Sequence, residues 1–133
     1  MIKYLLDTNI CIYIIKKQPL QVIQKLQSLD VSKVAISSIT LSELEYGIAK
    51  SSHPEKNKLA LAKFLAPIEV LTFDDNAAQE YGQIRAALEK AGNPIGPLDT
   101  LIAAHAFSLS CILVTNNIKE FERVTELQLE NWA

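Results

Sequence analysis

Short apolar segments alternate with longer stretches of helical periodicity, and this alternation restricts the fold more than any other feature of the chain. Each apolar segment is too short for a helix and ends at turn-forming or polar residues. Buried strands that alternate with helices form parallel sheets covered on both faces. We therefore predict the α/β class, with three layers (α/β/α) and a short, mainly parallel central sheet. The apolar segments are residues 3–6, 34–37, 69–73 and 112–114.

The stretches between these segments carry apolar residues every three or four positions, which predicts helices. Asp74 can cap a long helix that ends near Lys90, and the Gly- and Pro-rich residues 92–97 predict a loop. Thr40 and Glu43 match the capping-box pattern, which would start a helix at Thr40. The predicted helices are residues 10–15, 19–30, 40–50, 54–66, 74–90 and 98–109.

The chain has 133 residues, of which 49% are hydrophobic, so we expect a single domain over residues 1–133. The apolar run before Asp7 has only three consecutive residues, Tyr4 to Leu6, too few for a signal peptide, and no later run approaches the roughly 20 residues of a membrane span. We expect a cytoplasmic protein. Cys11 and Cys111 lie among apolar residues without a second Cys or His at ligand spacing, which predicts buried free thiols.

Three acidic residues stand at predicted helix starts or in the turn before one. Asp7 ends the first strand, Glu43 lies early in its helix, and Asp99 follows Pro97 by two positions. The carboxyl ends of parallel strands form the ligand crevice of such sheets, so these acids can converge there. Each acid also has a structural explanation, as a helix cap or as an anion near the positive end of a helix. The two roles are compatible, because a helix N-terminus stabilises the ionised carboxylate that a metal requires.

A cluster of Asp and Glu without His or Cys is the ligand set that Mg²⁺ prefers. The two histidines do not form a pair, since His53 lies in a polar segment and His105 is flanked by alanines on a packed helix. We assign both histidines structural roles. With 13 Lys and Arg against 15 Asp and Glu, the charge does not indicate a strongly basic nucleic-acid clamp.

Two other acid-centred chemistries fit the same strand less well. A haloacid-dehalogenase-like phosphatase needs a second Asp two positions after the first, and Asn9 stands there. A response-regulator receiver needs a Lys after a late strand, whereas Val114 is followed by Thr115 and two asparagines. The pattern therefore favours neither class.

Four ordered segments resemble the motifs of VapC-type PIN domains, and the resemblance runs from residue 2 to Trp132. The first holds Asp7, the second holds Glu43, and the third holds Asp99. Any one of these motifs is weak, but four in this order and spacing are specific. The segments are residues 5–9, 38–47, 94–106 and 113–124.

This resemblance implies a PIN-like fold, a homodimer, Mg²⁺ or Mn²⁺ in an acidic pocket, and hydrolysis of RNA phosphodiesters. It also implies a VapB-like antitoxin that occludes the site, in a heterotetramer or larger assembly. Asp7, Glu43 and Asp99 match the three core acids of the family and are the expected metal ligands. By the same analogy, supporting hydroxyl and amide groups come from Thr8, Asn9 and Thr115.

The chain departs from the family pattern at one position. Many members carry a fourth Asp two residues after the Thr aligned with Thr115, and this chain has Asn117 there, with Glu120 three positions later. Asn117 can accept a hydrogen bond but adds no charge. Either residue could complete the catalytic set of Asp7, Glu43 and Asp99, or the pocket could work with three acids.

Three functions remain open from the sequence. The first is a metal-dependent endoribonuclease toxin, with structured tRNA as the first candidate substrate. The second is a binding module that cleaves slowly or not at all and serves in a repressor complex with its antitoxin. The third is a nuclease directed at DNA. The intact acids at positions 7, 43 and 99 favour an enzyme.

Overall fold

The computed structural model describes residues 1–133 and centres on a sheet of five strands. The strands are β1 Tyr4–Leu6, β2 Val34–Ser37, β3 Glu69–Leu71, β4 Ile112–Val114 and β5 Leu129–Glu130. All neighbours pair in parallel, in the order β3-β2-β1-β4-β5, with Leu5 opposite both Ala35 and Leu113. The carboxyl ends of all five strands therefore lie along one edge of the sheet.

Seven helices and one short 3₁₀ turn, Val31–Lys33, connect the strands. The helices are α1 Thr8–Lys16, α2 Leu20–Gln27, α3 Ser38–Ala49, α4 Pro54–Leu65, α5 Asp75–Lys90, α6 Pro97–Ser108 and α7 Ile118–Phe121. None of them is both long and apolar enough to cross a membrane.

The core is divided by the sheet into two clusters, because successive strand residues point to opposite faces. Leu6 packs on one face with Ile36 and residues of α1, α3 and α4. Leu5 packs on the other face with Leu113 and residues of α5, α6 and α7. The predicted three-layer α/β/α class with a parallel sheet is confirmed.

The predicted capping box at Thr40 and Glu43 is wrong. α3 begins two residues earlier, at Ser38, and the Ser37 hydroxyl accepts the Ile39 amide at 3.0 Å. Ser37 is the last residue of β2 and still has extended backbone, so it serves as the cap directly at the strand end. Thr40 lies inside the helix with its hydroxyl buried and unpaired, and Glu43 is not used for capping.

Both cysteines are buried free thiols, as predicted. Cys11 lies in the cluster with Leu6, and Cys111 lies in the cluster with Leu5, on the opposite face of the sheet. Burial raises the pKa of Cys111 to about 11 and raises the pKa of Cys11 well above its ordinary value. Neither side chain is a reactive thiolate at neutral pH.

Candidate active site

Asp7 connects the central strand to the first helix at the carboxyl edge of the sheet. Its side chain accepts the Ile10 amide at 2.9 Å and so caps α1, while its own amide donates to the Val114 carbonyl at 3.0 Å. The residue is only 6% exposed. Burial raises the pKa of Asp7, against hydrogen bonds from Thr115 and Ile10 that lower it. Asp7 is thus a helix cap and also a carboxylate at the crevice.

Glu43 reaches the same edge from the second turn of α3. The Thr8 hydroxyl donates to Glu43 Oε1 at 2.6 Å, a contact between residues 35 positions apart. The charge of Glu43 contributes to the raised pKa of Asp7. The Glu43 carboxylate has no capping role, and the hydrogen bond from Thr8 holds it at the crevice.

Asp99 lies half-exposed in the first turn of α6. Burial, followed by the charge of Glu120 and a hydrogen bond with it, raises the pKa of Asp99 to about 7. The charges of Glu43 and Asp7 add to the same shift. Four carboxyl groups from four segments of the chain therefore influence one another at this edge.

Glu120, one of the two residues that the sequence offers to complete the set, lies beside Asp99. Its Oε1 accepts the Gly96 amide at 3.1 Å, and its Oε2 accepts the Asn117 side-chain amide at 2.5 Å. A Cβ placed on Gly96 would lie 3.7 Å from Asp99 Oδ2 and 3.9 Å from Glu120 Oε1, so both acids border this glycine. Asn117 contacts the carboxylate of Glu120 through its amide nitrogen and lies beside the site as the support of that acid.

The three supporting residues differ in their placement. Thr8 holds Glu43, and Thr115 is fully buried, accepts the Asn117 backbone amide at 3.0 Å and lowers the pKa of Asp7. The Asn9 side chain is exposed, and its backbone amide lowers the pKa of Asp7. The sequence did not predict that the amide of Gly96, 24 residues before Glu120, holds the Glu120 carboxylate.

The two histidines lie away from the acids. His105 is 1% exposed, and its Nδ1 lies 2.8 Å from the Ser37 hydroxyl that caps α3. Burial lowers the pKa of His105, so its imidazole is neutral at pH 7. His53 is exposed at the start of α4 and makes no capping hydrogen bond.

No cationic side chain neutralises the four acids. The chain has a single ion pair, Arg85 with Glu89, and it includes none of them. No three His, Cys, Asp or Glu side chains are close enough to hold a metal ion by themselves. The oxygen-only donor set fits a hard cation that keeps several waters and takes only a few carboxylates, which describes Mg²⁺.

The burial of Asp99 and its repulsion by the neighbouring acids predict that the stability of the metal-free protein depends on pH. The raised pKa of Asp99 means that the folded chain binds a proton more tightly than the unfolded chain, so this contribution is present below pH 4 and is lost as pH rises towards 7. Replacing Asp99 by Asn should therefore stabilise the protein at pH 7.5 and change little at pH 4.5.

Urea denaturation in EDTA at both pH values measures the difference between Asp99→Asn and the unmodified chain. Glu45→Gln, on the exposed face of α3, is the matched control and should give no such trend. A difference that is constant with pH would contradict the assigned interaction of Asp99 with its neighbours.

The comparisons with known proteins agree on one family. The PIN domain family matches residues 4–127. The chain is 49% identical to a tRNA(fMet)-specific endonuclease VapC of Shigella flexneri, over 100% of both sequences. It superimposes on a chain of DNA-bound VapBC from Salmonella typhimurium with a TM-score of 0.95, 46% identity and 100% coverage of both chains.

A second solved structure, VapBC2 from Rickettsia felis bound to a promoter DNA fragment, gives a TM-score of 0.93 at 45% identity, again over 100% of both chains. Identities of 45–49% over the whole chain indicate membership of the same family and not only a shared fold. The chain belongs to the PIN domain family and, within that family, to the VapC ribonucleases.

Proposed function

We propose that the chain, as one PIN domain over residues 1–133, is a Mg²⁺-dependent endoribonuclease toxin of a VapBC-type pair that acts in the cytoplasm. The observation that carries this proposal is the group of four carboxylates at the carboxyl edge of the sheet, without any cationic partner. Such a group attracts a divalent cation and repels RNA until the cation is bound. The VapC relatives are named as ribonucleases or as a tRNA endonuclease, which supports the same activity.

Each acid has a role in this proposal. Asp7 and Asp99 hold Mg²⁺, for which Mn²⁺ can substitute, and Glu43 binds a metal or orients the attacking water. Glu120 supplies the fourth negative charge, and Asn117 holds its carboxylate through the contact at 2.5 Å. When bound, the metal lowers the pKa of water and offsets the charge that grows on the phosphate in the transition state. No histidine is required, and the products are a 3′-hydroxyl and a 5′-phosphate.

The substrate we propose is tRNA. The Shigella flexneri relative, 49% identical over the whole chain, is named as specific for tRNA(fMet). A tRNA therefore comes first among the RNAs to be offered, and mapping the 5′ ends of the fragments would locate the cleaved bond.

The proposed partner is a VapB-like antitoxin whose amphipathic segment binds a groove between α1, α3 and α4. This groove has a volume of about 330 Å³, has apolar walls that include Ile12 and Ile48, and reaches Glu43. An occupant could place a basic side chain against the acids, since an Arg pairs with a carboxylate through two hydrogen bonds. A homodimer of the chain with two or more antitoxins is the expected assembly.

A neighbouring cavity between α1 and α4, of about 560 Å³, is bordered by Lys17, Lys56 and Lys63. These lysines favour acidic residues next to the apolar anchors of the antitoxin segment.

Purified chain without antitoxin, incubated with tRNA, tests the activity. Cleavage in Mg²⁺ and none in EDTA is expected. Cleavage of duplex DNA beside RNA would indicate the DNA-directed alternative, and binding of antitoxin without cleavage of any RNA would indicate the binding module.

Filling the antitoxin groove should weaken antitoxin binding and leave cleavage intact. Gly47 borders the groove, and a Cβ added there meets nothing within 4 Å, so Gly47→Leu fits the helix and projects into the groove. We expect a several-fold weaker antitoxin complex, and a free energy of unfolding about 1 kcal/mol higher because Leu is a better helix former than Gly. Gly82→Leu, in α5 and equally free of contacts, is the matched control. Titration of antitoxin against each variant measures the effect, and an unchanged affinity for Gly47→Leu would refute the groove assignment.

A further inference from the structure

A third cavity lies between α5, the loop at residues 92–97 and the first turn of α6. Its volume is about 190 Å³, and it differs from the antitoxin groove in being bordered by an arginine and a tyrosine. Ile95 and Pro97 border it on either side of Gly96, and a Cβ placed on Gly96 would lie 3.7 Å from Asp99 Oδ2, so the loop that borders the cavity also borders that acid. Its lining includes Tyr81, Arg85, Glu89, Pro94, Pro97 and Thr100.

Arg85 is held in place on one face of α5. Its Nη1 donates to the Tyr81 hydroxyl at 3.0 Å, and its Nε donates to Glu89 Oε2 at 3.2 Å. A guanidinium group has five N–H donors, so three remain available. The group is positioned in advance, which reduces the entropy that binding an anion would cost.

The distribution of charge suggests that Arg85 binds the RNA backbone. The four acids of the active site repel a polyanion, and a bound cation offsets that repulsion only at the scissile phosphate. The chain has only two arginines, and both contact or border the loop at residues 92–97 that precedes Asp99. Arg123 uses Nη1 to bind the Pro94 carbonyl at 3.0 Å, whereas Arg85 faces the cavity.

We propose that this cavity is a nucleotide subsite for the RNA substrate. Arg85 binds the phosphate that neighbours the scissile one, and the ring of Tyr81 stacks on the base of the same nucleotide between Pro94 and Pro97. Arginine pairs with phosphate through two parallel hydrogen bonds, and aromatic rings bind single-stranded bases by stacking. This inference rests on the proposed ribonuclease function, because it assigns the substrate of that activity a second point of contact.

Steady-state cleavage of total tRNA by the full chain in Mg²⁺ tests the subsite. Arg85→Gln should raise KM five- to tenfold and leave kcat within twofold. Loss of one phosphate contact should also reduce the slope of log affinity against log salt by about 0.7, measured by binding of labelled tRNA to the Asp99→Asn chain with and without Arg85→Gln. Tyr81→Leu should raise KM several-fold, and Tyr81→Phe should raise it less, because it keeps the ring and loses only the hydroxyl that accepts from Arg85.

Two control variants separate phosphate binding from a structural role. Lys90→Gln removes a positive charge at the end of the same helix, outside the cavity, and should leave KM and the salt slope unchanged. Glu89→Gln removes a repulsive charge but keeps a side-chain oxygen that can accept from Arg85 Nε, so KM should stay equal or fall. If Glu89→Gln raises KM as much as Arg85→Gln does, the ion pair only supports the helix and the subsite is refuted.

The remaining outcomes distinguish this inference from the proposed function. Normal cleavage by the unmodified chain, with KM unaltered in Arg85→Gln, refutes the subsite and leaves the ribonuclease in place. Weaker antitoxin binding by Arg85→Gln with unaltered tRNA binding assigns the cavity to the antitoxin and also refutes the subsite. If the unmodified chain cleaves no RNA, the proposed function fails, and the tRNA-binding measurement still decides whether Arg85 contacts RNA.

Discussion

Replacing Asp99 by Asn is expected to reduce RNA cleavage at least a thousandfold, a rise of about 4 kcal/mol in the activation barrier, while the protein remains folded. Burial and, after it, interactions with the other three acids raise the pKa of Asp99 to about 7, so its ionised form is disfavoured without a counter-ion. Loss of its charge removes a metal ligand and relieves this repulsion. Activity therefore falls while stability in EDTA is maintained or rises.

Replacing Asp7 should reduce RNA cleavage as much as replacing Asp99 does, but it should change the stability differently. From the sequence we expect Asp7→Ala, like Asp99→Ala, to hold or raise stability in the absence of Mg²⁺. In the structure, only Asp7→Ala also loses a helix cap, because the Asp7 side chain accepts the Ile10 amide at the start of α1. Loss of such a cap costs about 1 kcal/mol, so Asp7→Asn, which keeps an accepting oxygen, is the more informative variant.

Cleavage of tRNA and urea denaturation of each variant test both statements. Asp75→Asn, at an exposed acid in the first turn of α5, should behave like the unmodified chain in both measurements. Cleavage at the unmodified rate by a folded Asp7→Asn or Asp99→Asn protein would show that the metal assignment is wrong.

Replacing Glu120 by Gln should lower the cleavage rate at least tenfold, which corresponds to about 1.4 kcal/mol. Glu120 is the acid that most strongly affects Asp99, and its carboxylate is fixed by Gly96 on one oxygen and by Asn117 on the other. Asn117→Ala should cost less, because Gly96 still holds one oxygen. Asn117→Asp adds charge and should tighten Mg²⁺ binding, although it loses the hydrogen bond to Glu120.

Mg²⁺ titrations of activity for the three variants distinguish these effects. Glu122→Gln, at an exposed position two residues from Glu120, is the control for loss of charge alone. A larger loss of activity in Asn117→Ala than in Glu120→Gln would show that Asn117, and not Glu120, completes the site. Three curves that match the unmodified protein would leave a site of three acids.

The sequence predicted the connection from β1 through Asp7 to α1 because all of its determinants are local. An apolar strand, an acid and a helical pattern follow one another within a dozen residues. The start of α3 was predicted incorrectly because Ser37 and Thr40 are both acceptable caps, and only the end of β2 decides between them. α7 and β5, of four and two residues, are too short for any periodicity to show.

The place of Glu120 could not be predicted for a different reason. Its partners include Gly96, from a loop 24 residues away, and the two segments meet only when α6 and β4 have packed. The motif positions of Asp7, Glu43 and Asp99 were predicted because each acid is tied to the end of a regular element. A side chain that depends on two irregular segments carries no such signal.

The loop at residues 92–97 is held at two points by α7 and the residues directly after it, through Glu120 to the Gly96 amide and through Arg123 to the Pro94 carbonyl. Exposed loops of this composition ordinarily accept inserted residues. Here an extra residue between Pro94 and Pro97 would shift the two anchors out of register and displace the start of α6 with Asp99. Length variation at this loop is therefore constrained by the chemistry of the acids, whereas the exposed turn before α4 at residues 51–53 carries no comparable restriction.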